Sequence, residues 1–73
     1  MNLNKTESDY YENVLKTRIA GLPIGVSLKP AALFDKDPVS PRMCRKLYED
    51  VTSGVITSIR KIGSRSQDGY IAV

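Results

Sequence analysis

Apolar positions recur at helical spacing in two stretches of the chain and at strand spacing near its end. Between residues 7 and 20, Tyr11, Leu15, Ile19 and then Leu22 fall about one turn apart, with Tyr10 and Val14 widening the stripe. This predicts a helix with one buried face. Thr6 is the expected N-cap. Glu7 and Asp9 sit in the first turn, where the helix dipole favours negative charge, and Gly21 and Pro23 stop the helix. A second long helix is predicted over 41–53. Ser40 precedes it as N-cap, Pro41 occupies its first position, and Met43, Cys44, Leu47, Tyr48 and Val51 recur at helical spacing up to Gly54. Between the two, Leu22-Pro23-Ile24-Gly25 reads as a turn and Val26-Ser27-Leu28 as a short strand. Residues 30–34 read as a helix too short to stand without tertiary packing, with Leu33 and Phe34 as its core residues. Residues 35–38 read as a turn.

The C-terminal third switches to β-branched residues. Residues 55–62 read as a strand, 63–69 as a loop ending in Asp68-Gly69, and 70–73 as a second strand, giving an antiparallel hairpin. A lone hairpin is marginal in water, so the strand at 26–28 is expected to pair alongside it and one face to pack on the helices.

Composition narrows the function. The 73 residues, 41% hydrophobic and 26% charged, suffice for a single domain, here 7–73 behind a flexible tail at 1–6. With no histidine the usual general base is missing, and the one cysteine, Cys44, forms no internal disulfide or thiolate cluster. The expectation is therefore a non-enzyme without cofactor, metal or small-molecule substrate. No segment has the apolar length of a membrane span, and the polar opening has no signal-peptide core, so a cytoplasmic setting is expected. The Asn4-Lys5-Thr6 triplet is read as chance. Net charge is +3. Residues 1–35 balance, whereas 36–73 carry Lys36, Arg42, Arg45, Lys46, Arg60, Lys61 and Arg65 against Asp37, Glu49, Asp50 and Asp68. A one-sided basic half points to a polyanionic partner; the alternative is an ordinary solvated surface.

The order helix, short strand, short helix, turn, longer helix, strand, loop, strand resembles the winged-helix variant of the helix-turn-helix fold. The resemblance covers residues 7–73. It rests on Val26-Ser27-Leu28 with Ala31-Ala32-Leu33-Phe34, on Ser40 to Tyr48, and on a closing phrase of Val51, Gly54, Val55-Ile56 and Gly69-Tyr70-Ile71. The family is that of small stand-alone winged helix-turn-helix proteins of bacterial or phage type, with no assigned function. The implied fold class is α+β, three helices with a C-terminal β-hairpin wing. The presumed positioning helix at 30–34 is much shorter than the pattern requires, which puts the docking geometry in doubt.

Two groups of residues follow from this reading. On helix 41–53, Arg42, Arg45, Lys46, Glu49 and Ser53 cluster opposite the apolar stripe. Arg42 and Lys46 are like charges at i,i+4, and the basic residues precede the acidic ones, against the helix dipole. Arg45–Glu49 and Lys46–Asp50 pairs recover part of that cost. The resemblance implies that the N-terminal part of this helix, including Ser40, reads double-stranded DNA in the major groove. In the hairpin, Arg60, Lys61 and Arg65, with Ser64, Ser66 and Gln67, form a basic wing suited to phosphates. Alternation places Arg60 and Lys61 on opposite faces, so one of the two faces DNA; the alternative is a charged edge that blocks aggregation. Tyr48 and Tyr70 are expected in the core with hydroxyls at the rim, and Cys44 as a small buried apolar residue. The predicted function is sequence-specific DNA binding by a transcriptional regulator or a phage or plasmid accessory factor. A homodimer through helix 7–20 is the expected assembly. The rival function is a protein-binding adaptor that makes no DNA contact.

Overall fold

The computed structural model describes residues 3–35 and 40–73, so the predicted turn at 35–38 lies, beyond Asp35, outside the described residues. The first helix, α1, runs over residues 5–20 as an α-helical segment Lys5–Tyr10, a π-helical turn Tyr11–Leu15 and a further α-helical segment Lys16–Ala20. Its start corrects the sequence expectation. Asn4, not Thr6, is the N-cap: its side chain accepts from the Glu7 N–H at 2.8 Å, while the Glu7 carboxylate accepts from the Asn4 N–H at 3.1 Å. This reciprocal capping box satisfies two otherwise unpaired donors. Leu3, just before the cap, packs against the core. The π turn has a cause in the spacing. Tyr11, Leu15 and Ile19 are each four residues apart, and on a straight α-helix such a series drifts by about 40° per step. One wider turn brings the three side chains back into line, and all three are buried.

Strand β1 (Ser27–Leu28) leads into helix α2 (Pro30–Phe34), which ends at Asp35 in the left-handed conformation, φ 53°. Such a short helix is held from outside, as its length predicts. The Tyr10 hydroxyl donates to the Phe34 carbonyl and an Arg18 N–H to the Leu33 carbonyl at 3.3 Å, so α1 supplies donors for the free carbonyls at the end of α2. Helix α3 (Pro41–Thr52) follows, with Ser40 at its N-cap position. Gly54 has φ 88°, which turns the chain away from the helix end, and the Ile56 N–H then donates to the Asp50 carbonyl at 3.0 Å.

The regular part of the hairpin is shorter than predicted: β2 is Ile59–Lys61 and β3 is Tyr70–Ala72. Residues 55–58 are irregular, because their polar groups serve the end of α3 and the end of β3; the Val73 N–H, for example, donates to the Ser58 carbonyl at 3.0 Å. The three strands form an antiparallel sheet in the order β1–β3–β2. Leu28 and Lys61 both sit opposite Tyr70, while Ser27 and Arg60 both sit opposite Ile71. Gly69, φ 90°, precedes β3; a Cβ there would lie 2.2 Å from the Leu28 carbonyl oxygen, so only glycine fits where β1 passes.

The result is a small α+β domain of three helices and a three-stranded sheet around one core. Tyr11, Leu15, Leu33, Phe34, Met43 and Leu47 are at most 1% exposed, and Ile19, Ile56, Ile59, Tyr70 and Ala72 complete the cluster. The core consumes the apolar stripe of α1. Of its large apolar side chains Val14 remains exposed. Among the described residues no helix is long and apolar enough to cross a membrane.

Candidate nucleic-acid interface

Helix α3 carries basic residues on two flanks, and the two flanks have different surroundings. The flank toward α1 holds Arg42, Lys46 and Asp50. Arg42 grips the Glu7 carboxylate with two donors, Nε to Oε1 at 3.1 Å and a terminal nitrogen to Oε2 at 3.2 Å. This two-pronged geometry is the strongest form of the pair. The Arg42 guanidinium, then the Ser40 hydroxyl, then the Asn4 N–H hold the Glu7 carboxyl at about 2, far below its ordinary 4.5. Ser40 thus keeps the N-cap position without the N-cap bond. Its buried hydroxyl makes no bond to the N–H groups of α3 and faces Glu7.

Two turns beyond Arg42 along α3, Asp50 is 6% exposed. The Tyr11 hydroxyl donates to its Oδ2 at 2.6 Å, and the Lys46 ammonium stands 3.4 Å from its Oδ1. Burial, reinforced by the Asp50 carboxylate, pushes the Tyr11 phenol well above its ordinary range, so it remains a donor. A buried carboxylate requires such partners, because an unpaired charge in the interior is costly. Ser40, Arg42 and Lys46, expected to face DNA, are therefore fastened to the α1 side.

The flank toward the hairpin is open. There Arg45, Tyr48, Cys44 and Pro41 of α3 face Lys61, Ser64 and Tyr70 across a cleft of about 610 Å³, floored by Phe34 and Leu47 and closed at one end by Pro30. Arg45 is paired with Glu49 at 3.3 Å, but the two side chains are 73% and 61% exposed, so the pair exchanges readily with water or another anion. Tyr48 is half exposed rather than in the core, at the lip of the cleft. Tyr70 is buried as expected, and burial pushes its phenol up to about 12.

Lys61 is held in place. Its ammonium donates to the Ile62 and Arg65 carbonyls, each at 2.6 Å, and lies 5.6 Å from the centre of the Tyr70 ring. Alternation along β2 decides between Arg60 and Lys61. Ile59 is buried and Arg60 exposed, so Lys61 shares the α3 side of the sheet and Arg60 the far side. Arg65 is exposed in the hairpin loop, next to Lys61 through its own carbonyl, and its N–H donates to Asp68 Oδ2 at 2.9 Å. The Ser66 side chain lies outside the described residues.

Of the predicted residues the structure brings together Arg45 and Lys61, with Arg65 beside Lys61. Arg42, Lys46 and Ser40 stand on the other flank of α3, and Arg60 on the other face of the sheet. Sequence reasoning missed Tyr48 and Ser64 as cleft residues and the pairing of Glu7 with Arg42. The capping-box spacing Asn4-x-x-Glu7 was the available signal for Glu7 at the start of α1, but nothing local links it to a residue so distant in the chain. Cys44 is half-buried and its thiol is pushed up by burial, the opposite of a reactive thiolate. Among the described residues no group of histidine, cysteine and carboxylate side chains is arranged to hold a metal ion. Compared with family models, curated proteins and solved structures, the chain matches none.

Proposed function

We propose that this chain is a small winged-helix protein that binds double-stranded DNA through the hairpin-facing flank of α3 and the β2–β3 hairpin. The observation that carries the reading is the cleft itself: Arg45 of the helix and Lys61 and Ser64 of the hairpin line it, and among the described residues no carboxylate lines it. The sheet order β1–β3–β2, with the hairpin following the longest regular helix, agrees with a wing beside a recognition helix. Arg45 in the N-terminal half of α3 is the candidate for base-edge contact, since arginine there reaches guanine with two donors. Lys61 and Arg65 are the candidates for phosphates. Arg42 and Lys46 leave the contact set, because engaging DNA would cost them their carboxylate partners.

Fluorescence polarisation with a labelled random duplex at 50 and 200 mM salt tests this. With two phosphate-neutralising cations, Lys61 and Arg65, affinity should fall roughly 12-fold between the two conditions. Arg45→Glu should abolish binding with the fold intact. A chain that ignores duplex at the lower salt, or binds it equally at both, refutes the reading and leaves the adaptor function in its place.

A further inference from the structure

The cleft has properties that a phosphate-binding surface does not need. Its lining is largely apolar, with Tyr48 exposed at the lip and Phe34, Leu47 and Tyr70 buried beneath it, and its volume of about 610 Å³ falls within the range of small-molecule sites. Among the described residues its charged lining side chains, Arg45 and Lys61, are both cationic. They differ in a useful way. Lys61 is immobilised, with two of its three donors spent on the Ile62 and Arg65 carbonyls. One donor remains, and the cost of ordering the side chain is met by the fold rather than by the ligand. Arg45 is largely exposed, with one exchangeable partner in Glu49, and can swing onto a ligand at the mouth. Two cations and an exposed tyrosine on a mostly apolar lining describe a ligand with an apolar body and a single anionic head.

We propose that this cleft binds a small amphipathic carboxylate, an aromatic acid, with its ring against the exposed Tyr48 and its carboxylate on Lys61 and Arg45. This goes beyond the expectation from sequence, which foresaw no pocket. It stands whether or not the same face meets DNA. The volume favours a free acid over a folded partner, and the apolar lining distinguishes it from a site for inorganic phosphate.

The test titrates ¹⁵N-labelled chain with 1-naphthoate, with 1-naphthalenemethanol as the neutral comparator of the same ring system. The expected result is saturable amide shifts confined to Cys44, Arg45, Tyr48, Lys61, Ser64 and their neighbours, with the acid bound at least about tenfold more tightly than the alcohol. Lys61→Gln and Arg45→Gln should each erase most of that preference. Arg45 is exposed enough that its variant keeps the fold if the loss of the Lys61 bonds disturbs the hairpin. Shifts that do not saturate, that scatter over the surface, or that are equal for acid and alcohol overturn the proposal. Duplex binding is measured on the same samples. A chain that takes naphthoate but not duplex removes the nucleic-acid reading alone, and the converse removes this one alone.

Discussion

The two flanks of α3 carry the same kinds of side chain and put them to different uses. Toward α1, Arg42 and Lys46 meet Glu7 and the buried Asp50, with the Tyr11 hydroxyl completing the set. Toward the hairpin, Arg45 meets the solvated Glu49, and Lys61 meets backbone carbonyls and an aromatic ring. The difference lies in the partners rather than in the cations. A carboxylate that is itself buried turns a basic residue into a structural pin, because the carboxylate is not tolerated there alone. A carboxylate in water leaves the basic residue available at little cost. Three residues of helix separate Arg42 from Arg45, and that rotation decides which case applies.

Several substitutions would break or sharpen this contrast. The largest effect is expected from Asp50→Ala, which strands the buried Tyr11 hydroxyl and takes away the partner of the half-exposed Lys46. Urea denaturation should show a loss of about 3 kcal/mol, a large part of the stability of so small a domain. A loss under about 1 kcal/mol would mean that this flank is not a structural contact. Next comes a matched pair. Arg42→Glu sets a second carboxylate against Glu7 and should lower the melting temperature by several degrees. Arg45→Glu should stay within about 0.5 kcal/mol of the parent, yet lose duplex affinity. Equal stability of the two variants would erase the distinction between the flanks.

Acid should act on the closed flank. The folded carboxyl of Glu7 titrates at about 2 against an ordinary 4.5, so its contribution is complete above the unfolded value and is lost as pH falls from there toward 2. Arg42→Gln should flatten this limb of a thermal-melt series, and an unchanged limb would remove Glu7 as its source. Alkali has the smallest expected effect, because it acts only at high pH. The Tyr70 phenol is raised from 10.0 to about 12, so the fold is fully stabilised below the unfolded value and loses stability as pH rises from 10 to 12. Tyr11, raised for the same reason, adds to the loss. Tyr70→Phe should remove part of this dependence; if it does not, the phenol on the cleft floor is not buried in solution.

Much of the architecture was legible because local rules agreed. Ser40-Pro41 and Gly54 bracket α3, and Pro30 and the apolar pair Leu33-Phe34 identify α2. The pairing of β1 beside the hairpin followed from the instability of a lone hairpin. The cleft was only half legible. Alternation announced that Arg60 and Lys61 part company but not which way, since that depends on Ile59 entering the core. The fates of Arg42 and Lys46 were hidden because their partners, Glu7 and the Tyr11–Asp50 contact, are set by how α1 crosses α3. Helix periodicity sorts residues into inner and outer faces and carries no information about neighbours across a helix–helix contact. Tyr48 read as core because it follows Leu47 in the stripe, yet it lies at the stripe's edge, where packing rather than hydropathy decides.

The π turn of α1 bears on how this chain tolerates changes of length. A turn of that kind accommodates one residue more than an α-helical turn would hold. Deleting Asn13, which is exposed, would leave Tyr11, Leu15 and Ile19 spaced three and four apart, the rhythm of an uninterrupted α-helix, with the Asn4–Glu7 cap and the Gly21 terminus in nearly the same phase. The shortened protein should keep its core and its circular-dichroism spectrum. A deletion one turn away, in Lys16–Ala20, has no such slack to absorb it and should rotate Ile19 out of the interior.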